Sequence, residues 1–97
     1  METYIVLINV TQQGITTVKG APERIERFRQ AVEAAGGTVA GWYLTMGRYD
    51  IVTVLQVPDA QTIAKLLLTT TAQGTIRTET LRAFTFDEAK AIIASLP

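Results

Sequence analysis

Within the eight residues from Tyr43 to Asp50 stand two phenols, a hydroxyl, a guanidinium and a carboxylate: Tyr43-Leu44-Thr45-Met46-Gly47-Arg48-Tyr49-Asp50. A carboxylate beside a tyrosine can transfer a proton when its surroundings bring its pKa towards neutrality. Asp50 with Tyr49 or Tyr43 is therefore the candidate acid/base set for a catalyst that works without a cofactor. The rest of the inventory is thin. The chain has no histidine, hence no imidazole base near neutral pH and no ordinary zinc or haem ligand. It has no cysteine, which excludes a thiolate nucleophile, a thiolate metal site and a disulfide framework. Gly36-Gly37 and Gly41 do not precede a helix, so no phosphate-cradling loop is expected. Neither a metal nor a cofactor is expected.

Positioning that segment falls to elements that can be read from the pattern of apolar residues. Residues 3 to 11 are dense in β-branched and aromatic side chains, which predicts a central strand ending at Gln12-Gln13-Gly14. Ala21-Pro22 opens a helix, with proline tolerated in the first turn and Glu23 favoured near the positive end of the helix dipole. Ile25, Phe28, Val32 and Ala35 form its apolar face, and Gly36-Gly37 stops it. Thr38 to Met46 and Tyr49 to Val57 read as two strands joined at Gly47. Asp59 is a good N-cap for a helix that turns Ile63, Leu66, Leu67 and Thr70 inward and closes near Gly74. Thr75 to Phe84 is a fourth strand, and Thr85-Phe86-Asp87-Glu88 has the capping-box spacing that starts a last short helix.

The order strand, helix, strand, strand, helix, strand, helix is that of an α+β, ferredoxin-like βαββαβ domain with an appended C-terminal helix, a single domain over residues 1 to 97. Right-handed crossovers put both long helices on one face of the sheet and leave the other bare. Strands one and three are apolar at both parities: Tyr4, Val6, Ile8 and Val10 against Ile5 and Leu7, and Ile51, Leu55 and Val57 against Val52 and Val54. A bare face that apolar is unusual on a monomer. Two sheets packed face to face, a dimeric α/β barrel, are therefore expected, and 97 residues are few enough that self-association would help the core.

With Trp42 and Leu44 towards the helices, Tyr43 and Thr45 fall on the open face, and parity allows Asn9, Thr11, Asp50 and Gln56 there too. Asn9, Tyr43, Thr45, Tyr49, Asp50 and Gln56 are the candidate ligand-binding residues, since an apolar cavity with a few convergent polar groups is the usual make-up of a small-molecule site. The structural alternative is that these groups hydrogen-bond across the dimer interface; Gly47 then only gives the turn its backbone freedom, Tyr49 closes the end of the core, and Asp50 pairs with Arg82 or Arg48. Arg77 and Glu79 share one face of strand four and are expected to bond to each other at the surface. Which face of strand four points inward stays open, because Ile76 and Phe84 favour one parity and Leu81 and Ala83 the other. Nine basic and nine acidic residues are scattered, without the basic stripe that nucleic acid needs. The start lacks the basic region of a signal peptide and the run from Tyr4 to Val10 is too short to span a membrane, so a cytoplasmic protein with no membrane partner is expected.

Four stretches together resemble the GYD family of small ferredoxin-like proteins: Thr11-Gln12-Gln13-Gly14-Ile15, Tyr43 to Asp50, Val57-Pro58-Asp59, and Arg77-Thr78-Glu79-Thr80-Leu81-Arg82-Ala83-Phe84. The chain departs from that pattern at Gln56, where the family often has an acid, and at Leu44, where it often has an aromatic residue. The hairpin is also similar, more distantly, to that of the effector-binding domains of Lrp/AsnC-type regulators, whose DNA-binding unit is absent here. What the resemblance implies is the fold and self-association. The reading that follows is a non-catalytic homo-oligomeric module, its partner a second copy of itself, binding a small, mostly apolar ligand at or near the dimer interface. The alternatives are a cofactor-independent oxygenase or isomerase using Asp50 with Tyr49 or Tyr43, and a scaffold or adaptor for another protein.

Overall fold

The computed structural model describes residues 1–97 and shows an α+β, ferredoxin-like arrangement. Strands β1 (Glu2–Val10), β2 (Thr38–Leu44), β3 (Ile51–Val57) and β4 (Ile76–Ala83) form one antiparallel sheet in the order β2-β3-β1-β4. Helices α2 (Ala21–Ala34) and α3 (Ala60–Thr71) lie between strands in the chain, and α4 (Phe86–Ala94) follows β4. A short α1 (Gln12–Thr16) and a 3-10 turn (Val18–Gly20) join β1 to α2. No helix is long and apolar enough to cross a membrane.

Alternation decides which side of the sheet is covered. Tyr4, Val6 and Ile8 of β1 and Leu55 and Val57 of β3 are buried with Val32 of α2 and Ile63 of α3, so both long helices pack on one face as expected. Leu55, Val6, Val32 and Val57 are fully buried. Each such side chain contributes about 1.5–3 kcal/mol by leaving water. The pairing with β1 also settles the fourth strand. Ile76, Thr78, Thr80 and Arg82 face the helices opposite Val10, Ile8, Val6 and Tyr4, which puts Arg77, Glu79, Leu81 and Ala83 on the open face.

The helix ends follow from local chemistry. Asp59 accepts from the Thr62 N–H (2.8 Å) and hydroxyl (2.7 Å) to start α3. Thr85 and Glu88 exchange the two bonds of a capping box at α4. α2 stops where the N–H groups of Gly36 and Gly37 reach back to the carbonyls of Glu33 (3.0 Å) and Val32 (2.9 Å), a Schellman ending.

Three local features differ from expectation. Gln12-Gln13-Gly14, read only as the end of the first strand, belongs to a helix capped by the Thr11 hydroxyl, which accepts from the Gly14 N–H (3.2 Å) and donates to the Gly74 carbonyl (2.6 Å). Thr11 is thereby committed to the chain rather than to the open face. Gly14 is there because a β-carbon would stand 2.2 Å from the Thr75 carbonyl oxygen, so only glycine lets α1 approach the start of β4. The alternation of β2 is broken by a bulge between Val39 and Gly41, so that Val39 packs on the core while Gly41 faces the open side opposite Val54. Strand β2 ends at Leu44 and β3 begins at Ile51, which leaves the link between them longer than a tight hairpin turn.

Helix α4 stands apart. It makes almost no contact with the other elements, and Phe86, Ile92, Ile93 and Leu96 are exposed. The radius of gyration is 14.7 Å, against about 12.5 Å for a compact chain of this length.

Candidate functional site

The link from Thr45 to Asp50 is built by its own polar groups. Thr45 donates its N–H to the Asp50 carbonyl (2.8 Å) and its hydroxyl to the Tyr49 carbonyl (2.7 Å), closing the loop. At the tip Gly47 has φ +119, with open space where a side chain would go, so glycine is required by backbone geometry and not by room.

Asp50 anchors the loop to the sheet. Its N–H donates to the Ile8 carbonyl (2.9 Å) and its carboxylate Oδ2 accepts from the Val10 N–H (2.8 Å). The β1–β3 ladder ends at Ile8 opposite Ile51, so that carboxylate takes over where the next backbone partner is missing. The expected ion pair with Arg82 or Arg48 does not form. Because β3 and β4 both run antiparallel to β1, they run parallel to each other, and their starts share one end of the sheet. Arg82 is at the other end, 3.8 Å from Glu2 and over the rings of Phe84 and Tyr4. The ion pairs of the chain are that one and those of Arg29 with Glu26 and Glu33, which leaves Arg48 without one.

Tyr49 does not close the core. Its hydroxyl reaches across the open face to donate to Glu79 Oε2 on β4 (2.7 Å). Glu79 is thus bonded to Tyr49 and not to Arg77, the partner that their shared face predicts. Beneath and around the phenol is a hollow of about 240 Å³ lined by Leu7, Asn9, Arg48, Tyr49, Arg77 and Glu79. Two guanidinium groups, one carboxylate, one amide and one leucine meet there.

The bond to Glu79 holds the Tyr49 proton, and with partial desolvation it raises the phenol above its ordinary pKa. A raised value means that the contribution of this bond is complete below the unfolded pKa of about 10 and is lost as pH rises through the folded value. Alkaline spectrophotometric titration of Glu79→Gln should show one tyrosine titrating at lower pH than in the parent chain. An unchanged curve would mean that the bond does not persist in solution.

Of the six candidate ligand-binding residues, Asn9 and Tyr49 line the hollow. Asp50 and Thr45 lie behind it and hold the loop. Tyr43 is on the open face in the cross-strand row Tyr43, Val52, Leu7, Glu79, on the edge strand β2 and 60% exposed. Gln56 is six residues along β3 from Asp50, about 20 Å away on an extended strand, between Thr38 and Thr3. The hollow therefore gathers only some of the set. Arg77 and Glu79 were missed as site residues; their signal is the equal parity on β4 that places Arg77 opposite Asn9 and Glu79 opposite Leu7.

Comparison with known proteins agrees with the fold. A Thermus thermophilus protein described as "Glutamine synthetase and cystathionine beta-lyase binding protein" is 38% identical over 84 residues, covering 86% of this chain and 88% of that one. Among solved structures, the feast or famine regulatory protein from M. tuberculosis, complexed with L-methionine, superposes with a TM-score of 0.66 at 21% identity over 89% of this chain. The chain spans about half of that protein, 52% of its length. A crystal structure of a Thermus thermophilus protein matches with a TM-score of 0.55 at 26% identity, over 87% of this chain and 94% of the other. The family model for the GYD domain matches residues 4–93, from the first strand into the last helix, and the chain belongs to that family.

Proposed function

We propose that this chain is a non-catalytic binding module that self-associates through the open face of its sheet and holds a small ligand at the rim of that interface. The observation that carries this reading is the open face itself. Two neighbouring cross-strand rows place Val54, Ile5 and Leu81 beside Val52 and Leu7, while the buried core lies entirely on the other side. A continuous apolar surface of that kind favours burial against a second copy.

The hollow under Tyr49 opens at one end of this surface. Arg48 and Arg77 suit a carboxylate, Glu79 an ammonium group, and Leu7 with the facing sheet an apolar body. A small, mostly apolar ligand with a charged head meets those requirements, and an amino acid with an apolar side chain is the simplest member of the class. That a protein of the same fold is solved with L-methionine makes this amino acid the first ligand to try. The commitment of the Asp50 carboxylate and the Thr45 hydroxyl to the backbone supports binding without catalysis.

Native mass spectrometry of the full chain at micromolar concentration, with and without L-methionine, tests both parts. An even oligomer retaining one ligand per chain is the expected spectrum. A 10.6 kDa monomer would overturn the interface, and an oligomer retaining nothing would overturn the amino-acid site.

A second reading, docking to an enzyme, is favoured by a different observation. The relative that is 38% identical is described as binding two enzymes, and α4 here presents Phe86, Ile92, Ile93 and Leu96 to solvent. Co-sedimentation with purified glutamine synthetase, lost in Ile93→Lys, would favour it over ligand binding.

A further inference from the structure

A second cavity, larger than the Tyr49 hollow, is on the other side of the sheet. It is about 460 Å³ in volume, between α2, α3 and the strands. Small-molecule sites span roughly 300–1,000 Å³. Its shape follows from where the two helices touch down. Val32 of α2 and Ile63 of α3 are buried at one end. At the other end Ile25, Phe28 and Leu67 are only partly buried and line the gap.

The lining of the gap is mostly apolar. The Thr53 hydroxyl donates to the Gly41 carbonyl (2.7 Å) and the Thr70 hydroxyl to the Leu66 carbonyl (2.7 Å), so these polar groups on the wall are already satisfied. Thr69, Gln73, Thr75 and Thr78 add polar side chains to a wall that is otherwise mostly apolar and suits a hydrocarbon body. The charged side chains on the lining are of one sign, Arg24 and Arg27, with no carboxylate among them. Arg24 donates to the Thr17 carbonyl (3.1 Å) and lies near its hydroxyl (3.4 Å). Arg27 is exposed and has neither an ion pair nor a hydrogen bond from its side chain. The acids of α2 do not neutralise it: Glu26 and Glu33 are held by Arg29, and Glu23, one turn before Arg27, is beyond ion-pair range.

We propose that this cavity binds an amphipathic monoanion, an aliphatic or aromatic carboxylate whose apolar body enters between α2 and α3 and whose carboxylate is met by Arg27 and Arg24. The site is independent of the Tyr49 hollow and of the assembly proposed above. An apolar interior rewards the body of such a ligand by area removed from water, and an unpaired guanidinium at the mouth selects the head.

Trp42, the only tryptophan, is on the cavity wall and reports occupancy directly. The full chain is titrated with decanoate below its micellar range, and in parallel with decanol and decyltrimethylammonium, following Trp42 fluorescence and binding heat. The expected result is saturable binding of one decanoate per chain, with the alcohol weaker and the cation absent. Arg27→Gln, at an exposed position, should weaken decanoate by about tenfold, the effect of losing one charge-assisted contact, while leaving decanol unchanged. Thr70→Phe should fill the gap and abolish both, with circular dichroism confirming that the chain is folded. Failure to saturate, equal affinity for all three probes, or decanoate binding unaffected in both variants would overturn the proposal. Decanoate binding that survives in Thr70→Phe but is lost in Tyr49→Phe would also overturn it, by assigning the ligand to the open face.

Discussion

Ile5→Lys is expected to convert the proposed assembly into a folded monomer. Ile5 is in the middle of the open face, opposite Val54 on one side and Leu81 on the other, and points away from the core that Tyr4 and Val6 help to build. In a single chain the lysine ammonium faces water, so the fold tolerates it. In a face-to-face pair related by a two-fold axis the substitution enters the interface twice, and each ammonium must be stripped of water in an apolar row whose neighbouring carboxylate, Glu79, is already bonded to Tyr49. Removing an unpaired charge from water costs several kcal/mol per ion. Lysine can recover part of this by extending its head to the rim. Even a net loss of about 3 kcal/mol weakens association by more than a hundredfold. Sedimentation velocity over a range of protomer concentrations reads the change, and circular dichroism verifies the fold. If the oligomer survives in Ile5→Lys and dissociates in Ile93→Lys, the contact belongs to α4 and the sheet face is not the interface.

Leu55→Ala is expected to destabilise the chain by about 2–5 kcal/mol, the range for emptying a fully buried leucine site. Leu55 is 0% exposed and is held between β1, β2 and the helices, paired across the ladders with Tyr4 and Val39. Small domains have about 5–15 kcal/mol in total, so one such deletion takes a large share and should leave a measurable unfolded population at room temperature. The informative control is Leu68→Ala, the same chemical change on α3 at a position 71% exposed, which should stay within about 0.5 kcal/mol. Urea denaturation of the three chains at one protomer concentration gives the comparison, since self-association adds to apparent stability by mass action. Equal losses at both positions would mean that residue type, and not burial, sets the stability of this layer.

The parts of the fold that were legible were those whose signals are local. The β-branched, apolar runs of β1 and β3, the Asp59 cap and the Thr85–Glu88 capping box each need only a few neighbouring residues, and each is where the sequence places it. Helix α1 was not legible, because five residues are too few for a helical period and its cap, Thr11, is completed by the Gly74 carbonyl across the chain. The same holds for the bulge in β2, which depends on how Val39 and Gly41 meet β3 and leaves no mark in composition. In the candidate site, Gly47 and Asp50 could be singled out as turn and anchor. The partner of Asp50 could not, since choosing between an arginine and the Val10 N–H requires knowing which ends of β3 and β4 are adjacent. Glu79 and Arg77 were undervalued for a related reason: two alternating charges on a strand look like solvated surface until Tyr49 is found lying across them.

The 45–50 loop is tied at several points: to itself through Thr45, to β1 through both the N–H and the carboxylate of Asp50, and to β4 through the Tyr49 hydroxyl. Segments tied in this way behave as fixed templates and not as flaps. The ligand proposed to enter beneath Tyr49 would have little chain to order on arrival, and less of its interaction energy would be spent on immobilising the receptor. Capture by such a surface is governed by encounter and orientation, and discrimination between ligands falls to how fast each one leaves.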